Sequence, residues 1–414
     1  MLTNRKKVLF TAIICVIAIE LALHILAFMS PQVDFLLSRP LESSGISPTV
    51  PDERLGHRPN PAYPNHDKNG FRNPHVPKTA HIVALGDSQT YGQGVKAEYV
   101  WPRVLESLTR RSVYSMAYGG YGPVHSLLLW DEAVVLEPAV VIEAFYAGND
   151  LYDSFNLIYN GGQLPSLKTY DKNRMDIVIR AEESEPIATR VSRMIRMQTH
   201  ASGKDKSIRS WLSKHSRIYG LLRRTRYELA RHRPRSNNPC NAHDEWLKAK
   251  SFAATHSEYC QVFSNKESGT IFTSEYRLSA LNLDDPRISE GQRISLEVIS
   301  QMHQRAIRDG RRFIALLIPT KELVYGKQAI GIPSANYHAL VRNELQFWEE
   351  TKIFLREHSI EHLDALGSLR AQLEAGPQPY KVSHDGHPNT HGHRVIARAI
   401  HSYLNAAQRQ LEAE

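Results

Sequence analysis

The stretch HIVALGDSQTYGQG, residues 81 to 94, runs from an apolar segment into Gly86-Asp87-Ser88. All three residues favour turns for ordinary backbone reasons, so the tripeptide alone is turn chemistry. Three further segments give it another meaning. YSMAYGGYGP (114–123) holds Gly119, Gly120 and Gly122; FYAGND (145–150) ends in Gly148-Asn149-Asp150; SHDGHPNTHGH (383–393) holds Asp385 and His387. A serine hydroxyl is a weak nucleophile until a base takes its proton, and a neutral imidazole is the usual base. A carboxylate fixes the tautomer of that imidazole and stabilises its charged form. Acyl transfer also needs donors aimed at a developing oxyanion, which backbone N–H groups and an Asn amide supply. Ser88, His387 and Asp385 can fill the first three roles. The N–H groups of Ser88 and Gly120 and the side chain of Asn149 can fill the fourth.

Such groups need a scaffold that brings distant segments together. Residues 82–85, 113–117, 139–145 (with Glu143 as a blemish) and 313–318 read as strands, and a weaker one surrounds 360–363. Helical periodicity lies at 99–108, at 125–136 up to Pro138, at 294–308, and after Asn389, where Val395, Ile396, Ala399, Tyr403 and Leu404 share one face. Strands alternating with helices predict a parallel sheet covered on both faces, with ligands beyond the carboxyl ends of the strands. Ser88 and Asn149 stand at such ends. Some 160 residues between the third and fourth strands exceed what the alternation needs. This region, 151–309, reads as a mostly helical, basic insertion, with a helix expected over 209–229. The two halves of the main domain are then 81–150 and 310–405. Residues 31–80, with nine prolines over 31–77, read as a stalk.

Charge and hydropathy place the chain. It has 414 residues, 51 Lys and Arg against 43 Asp and Glu, and a formal net charge of +8. Eleven basic residues crowd 204–235 against Asp205 and Glu228, a stretch suited to an anionic polysaccharide or a membrane surface, or simply a solvated helix face. Val8 to Met29 are 22 mostly apolar residues preceded by Arg5, Lys6 and Lys7. That length can cross a bilayer, and the charge asymmetry puts the N-terminus in the cytoplasm. The exit Ala27-Phe28-Met29-Ser30 lacks a small-x-small cleavage site, so residues 1–30 read as a retained signal-anchor and transmembrane helix. The rest then lies on the periplasmic side of an inner membrane. Glu20 and His24 share a face of that span and form a candidate contact with a membrane partner. Outside the cytoplasm Cys240 and Cys260 could bridge, and a nucleic-acid partner is not expected there despite the charge.

With those four blocks in order, the chain resembles the SGNH (GDSL) hydrolase superfamily. Gly86-Asp87-Ser88, Gly120, Gly148-Asn149-Asp150, and Asp385 with His387 match its blocks, over roughly 66–150 and 310–405. NGFRN (69–73) and LIPTKELVY (317–325) look like a membrane-anchored bacterial branch. Gln89 stands where many relatives have Leu. Asp385 and His387 are two apart where the usual last block is Asp-x-x-His, and a similar Asp-x-His occurs in alginate-type O-acetyltransferases. The resemblance implies a flavodoxin-like α/β/α sandwich with a parallel sheet. It implies esterase or acyltransferase chemistry through a Ser88 acyl-enzyme, on acetyl or other small acyl esters of cell-surface glycans. A glycan-binding or scaffold subunit that keeps the fold without catalysis is the alternative. Neither cofactor nor metal is expected. His384, Asp385, His387, His391 and His393 could form a metal cluster, but Pro388 and Asn389 suit a loop ending at a helix N-cap. His391 and His393 would also point to different sides of that helix.

Overall fold

A computed structural model describes residues 4–29, 46–199, 216–219, 221–222, 225, 239–265 and 268–411. The chain divides into two compact units, one of residues 1–47 and 202–241 and one of residues 48–201 and 242–414.

The larger unit is an α/β fold with a central parallel sheet. In chain order its strands are β1 (Thr49–Asp52), β2 (Gly56–Pro59), β3 (Ile82–Gly86), β4 (Val113–Ser115), β5 (Val140–Tyr146), β6 (Gln261–Ser264), β7 (Gly269–Phe272), β8 (Arg312–Ile318) and β9 (His362–Asp364). The central sheet runs β4-β3-β5-β8-β9, every pair parallel, with Ile82 opposite both Val113 and Val140 and Val140 opposite Arg312. Counted within the sheet the order is second, first, third, fourth, fifth, as in flavodoxin-like doubly wound sheets. Alternation within each strand splits the core in two. Val83, Leu85, Val141, Phe145 and Leu317 pack with Trp130, Phe155, Val298 and Phe347 on one face. Ile82, Ala84, Ile142, Ile314 and Leu316 pack with Trp101, Leu105, Ile396 and Ile400 on the other. Strands buried on both faces read as nearly unbroken apolar runs, which is why their positions were legible.

Three elements differ from the sequence expectation. The helix expected over 125–136 is two short ones, Pro123–Leu128 and Trp130–Val134. The stalk expected over 31–80 is folded from residue 48 onward into the larger unit. There β1 and β2 pair as an antiparallel hairpin. Asn73 donates to the Ser115 carbonyl (2.9 Å) and accepts from the Ser115 N–H (3.0 Å), extending the sheet edge by side chain alone. Gly70, at φ +90°, lies so near the Pro59 carbonyl that a Cβ would sit 2.0 Å from it. Prolines hid this segment because individual side chains, not periodicity, tie it down. Third, the region 151–309 carries, besides its helices, the antiparallel hairpin β6–β7. Its last helix, Pro286–Arg308, covers the sheet through Ile294, Val298, Ile299 and Met302. The helix expected over 209–229 falls largely outside the described residues. Cys260 is a buried free thiol; the side chain of Cys240, its candidate bridging partner, lies outside those described.

In the smaller unit, Asn4–Met29 is one 26-residue helix. The side chains at 4–6, 9, 13 and 27 lie outside those described. Among the described residues no helix is long and apolar enough to cross a membrane, so the expected transmembrane helix is not shown by the fold. Glu20 and His24 meet each other at 3.3 Å, and Glu20 also accepts from the Ser216 hydroxyl and the Ile218 N–H, both at 3.0 Å.

Candidate active site

The glycine, aspartate and serine that end β3 each do a different job. Gly86, at φ +136°, passes so close to β5 that a Cβ would lie 2.9 Å from the Ala144 carbonyl. Asp87 is buried and caps the short helix Ser88–Tyr91, accepting from the Gln89 N–H at 2.8 Å. Ser88 is the first helical residue, so its own N–H has no intrahelical acceptor.

The hydroxyl of Ser88 meets His387 Nε2 at 2.8 Å, and His387 Nδ1 meets Asp385 Oδ1 at 2.6 Å. Burial raises the Asp385 carboxyl, but His387 and Lys381 outweigh it and hold the group well below the usual carboxylate range. Lys381 Nζ sits 2.8 Å from Asp385 Oδ2. The imidazole thus has an ionised carboxylate on one nitrogen and the serine on the other, the arrangement of a serine nucleophile with its base and orienting acid. Asp87 is pushed up to about 6 by burial, against the pull of the Gln89 N–H and of His387; its Oδ2 lies 3.3 Å from the Ser88 hydroxyl.

The loop after β4 supplies Gly120, at φ +79°. Gly119 lies against Ser88, a Cβ there falling 3.8 Å from that of the serine. Among the described residues neither the Ser88 nor the Gly120 N–H has an internal acceptor. Asn149 stands at the end of β5, the strand paired to β3, at the start of the helix Asp150–Tyr159. Its amide donates to Asp153 Oδ2 at 2.6 Å, with a longer contact of 3.4 Å to Asp150 Oδ1, so one N–H is committed and the other weakly held. Burial pushes Asp153 up to about 8, eased by that amide.

The other histidines of the last segment go elsewhere. His384 stacks on Phe252 at 4.2 Å between ring centroids. His393 is fully buried and accepts from the Trp101 N–H at 3.3 Å. His391 lies in the first turn of Thr390–Leu411, where Asn389 caps the N–H groups of His391 and Gly392 at 2.8 and 3.1 Å. Among the described residues no group of His, Cys, Asp or Glu is arranged to hold a metal ion.

Several supporting residues escaped the sequence reading. His57, in the presumed stalk, meets the Gly119 carbonyl at 3.2 Å. Arg72 of NGFRN donates to the carbonyls of Gly92 and Val95, both at 2.8 Å, bracing the loop after Ser88. Buried Arg277, from the helix Ser274–Leu281, donates to the Gly148 carbonyl at 3.3 Å. Lys381 had a local signal, standing four residues before Asp385 in the same loop; Arg277 and His57 had none.

No protein-family model and no curated relative matches the chain. Solved structures similar to it include a lipolytic protein of the G-D-S-L family from Desulfitobacterium hafniense, 12% identical, covering 78% of this chain and 97% of that one at a TM-score of 0.34. A catalytic mutant of an acetylxylan esterase from Geobacillus stearothermophilus is 9% identical, covering 78% and 94% at 0.34. An acylhydrolase from Bacteroides fragilis is 13% identical, covering 80% and 91% at 0.33. At these scores the likeness carries no functional weight. The functional reading stands on the geometry of Ser88, His387 and Asp385.

Proposed function

We propose that the protein is a serine esterase or acyltransferase working through a Ser88 acyl-enzyme. One observation carries this reading: the continuous contact from Ser88 Oγ through His387 to Asp385, at 2.8 and 2.6 Å, at the carboxyl end of a sheet strand. Ser88 Oγ attacks the ester carbonyl as His387 Nε2 takes its proton. The oxyanion forms beside the N–H groups of Ser88 and Gly120, with the Asn149 amide as third donor. His387 returns the proton to the departing alcohol, leaving Ser88 acylated. Water or a sugar hydroxyl, deprotonated by His387, then takes the acyl group and frees the serine. Hydrolase and transferase differ only in that acceptor.

The substrate class we favour is a small acyl ester, acetyl foremost, on a cell-surface glycan, with the domain held on the periplasmic face of an inner membrane. Support comes from the Asp-x-His spacing, the basic stretch 204–235 and the N-terminus. There, Arg5, Lys6 and Lys7 precede the apolar run. Val8, Phe10, Ile17, Leu21 and Phe28 expose their side chains at 61–92% around the helix. A helix apolar all round needs a lipid or protein environment.

A fluorophosphonate probe should label wild type on Ser88 and leave Ser88→Ala unlabelled. A chromogenic acetyl ester should be turned over, and oligosaccharide acceptors would yield acetylated sugar by mass if the enzyme is a transferase. Folded protein that neither labels nor hydrolyses would leave the scaffold alternative standing.

A further inference from the structure

Beside the Ser88–His387–Asp385 relay sits a buried cation that the acyl chemistry does not itself require. Lys321 belongs to LIPTKELVY, directly after β8, and its side chain is inaccessible to solvent. Its ammonium donates to the backbone carbonyls of Ile271 (2.7 Å), Ser383 (3.0 Å) and Asp385 (3.1 Å). Lysine has three N–H donors, and here all three go to carbonyls. Ile271 lies in the hairpin β6–β7, whereas Ser383 and Asp385 lie in the loop that carries His387. Beside this junction Thr270 donates from Oγ1 to the Lys381 carbonyl at 2.9 Å.

The two-residue spacing of Asp385 and His387 explains why that loop needs outside support. Asp385 Oδ1 accepts both the backbone N–H of His387, at 3.0 Å, and its ring Nδ1, at 2.6 Å. These local bonds fix the imidazole against the carboxylate. They do not fix the pair against Ser88, which is 299 residues away in sequence. Apart from the Ser88 contact itself, the pair is referred to the sheet through the backbone of its loop. Lys321 is the group that grips that backbone from the end of a central strand, in a short helix capped by Thr320.

We propose that Lys321 is a positioning residue: it ties the loop carbonyls of Ser383 and Asp385 to β8 and to the Ile271 carbonyl, so that His387 reaches Ser88 and the β6–β7 hairpin becomes part of the catalytic support. The proposal rests on the esterase reading of this site. Burial draws the Lys321 ammonium down to about 8, opposed by Glu322 of its own helix and by Asp385; Arg277 lowers it and Cys260 raises it. His384, also in the catalytic loop, is lowered by its own burial and, after that, by the Lys321 charge. A neutral amine keeps two N–H donors and turns a lone pair towards a third carbonyl. The support therefore weakens as pH rises through that value.

The test uses the full-length protein, wild type, Lys321→Met and Lys321→Arg, with a chromogenic acetyl ester. An ångström of misplacement costs on the order of 10²-fold in rate, so Lys321→Met should lose roughly that in kcat with KM within about twofold. Arginine keeps the charge but not the compact three-way donor, and should lose about tenfold in kcat with KM again little changed. Wild type should lose kcat/KM above about pH 8; neither variant should show that limb, since methionine has no proton to lose and guanidinium keeps its own. Unchanged kcat in both variants, or an intact alkaline limb in either, overturns the proposal. Should Lys321→Met not fold, Lys321→Arg decides: parity with wild type overturns, a kcat-specific loss supports. A second readout does not depend on catalysis. While the downfield proton of the local His387 Nδ1–Asp385 Oδ1 bond should stay in place, the NMR nitrogen shift of His387 Nε2, which reports its contact with the Ser88 hydroxyl, should move in the variants. If wild type proves inactive the esterase reading fails alone, and this signal still decides Lys321: no change in the variants overturns it.

Discussion

Replacing Glu143 by Gln should flatten the pH dependence of stability, by an amount the structure sets. Glu143 lies in the middle of β5, opposite Leu85 and Ala315, with no solvent exposure. Neither carboxyl oxygen is at hydrogen-bonding geometry with a described residue. Burial raises its pKa from 4.5 to about 8; nearby Ser126 eases the shift and the Asp87 charge adds to it. Between those two values the folded chain holds a proton that the unfolded chain has released. Stability must therefore fall as pH rises through that window. At pH 7 the interval from 4.5 is 2.5 pH units, and at about 1.4 kcal/mol per unit the burden is about 3 kcal/mol. Gln keeps the shape and cannot ionise. Asp87, Asp153 and Glu344 are also raised by burial and add slopes of the same sign, so the observable is a difference between proteins. Urea unfolding of wild type and Glu143→Gln should be compared at pH 5 and pH 7. About 1 kcal/mol of that burden is already present at pH 5, so the wild-type loss should exceed the mutant loss by about 2 to 3 kcal/mol. Equal losses would mean that Glu143 is ionised in the fold, and the reasoning from its burial would be wrong.

Three further outcomes follow from the site. His387→Ala should be nearly as inactive as Ser88→Ala, with the double mutant little worse, because members of one relay are not additive; most activity surviving in His387→Ala while His391→Ala abolishes it would reassign the base. Asp385→Asn should fall by about 10⁴ in kcat through loss of the correct tautomer, whereas His393→Ala should lower the melting temperature and leave Ser88 labelling intact. Asn149→Ala should cost about 10² to 10³ in kcat, with melting near wild type; a large melting loss with unchanged turnover would make its bond to Asp153 the whole of its role. A reporter active only outside the cytoplasm, fused after residue 414, should be active, and the protein should resist alkaline extraction from membranes; release of a shortened soluble form would identify a cleaved signal instead.

Legibility followed burial. The central strands could be read because both their faces are apolar, and Ser88, Gly120 and Asn149 because they sit where such strands end. His387 could be singled out from three neighbouring histidines by Pro388, which keeps its predecessor extended, and by Asn389, which caps the next helix. The unread parts are held by single long-range side chains. Asn73 completes a sheet edge, Arg72 braces the loop after Ser88, and His57 meets the Gly119 carbonyl. Such contacts have no period in sequence, so a proline-rich segment that makes them looks the same as one that does not. Cys260, for which sequence spacing left a bridge open, is a free thiol that burial pushes up to about 11.

The region that the strand-helix alternation left over bears most directly on how the site works. Its hairpin meets Lys321 through Ile271 and the histidine loop through Thr270; Arg277 reaches the Gly148 carbonyl beside Asn149; Phe252 stacks on His384 next to Asp385. Three of these contacts land on Lys321 or next to Asn149 or Asp385, and the fourth lands on the backbone of Lys381, whose ammonium pairs with Asp385. An insertion evolving as an independent cover would have no reason to bond the backbone of these loops. A site whose acid and base are only two residues apart does have a reason to recruit it. The short Asp385–His387 turn is held internally by its own hydrogen bonds, and contacts from outside the turn oppose its tilting as a unit. On the esterase reading proposed above, the insertion supports the Ser88–His387–Asp385 site, and changes in it should appear in kcat before they appear in substrate affinity.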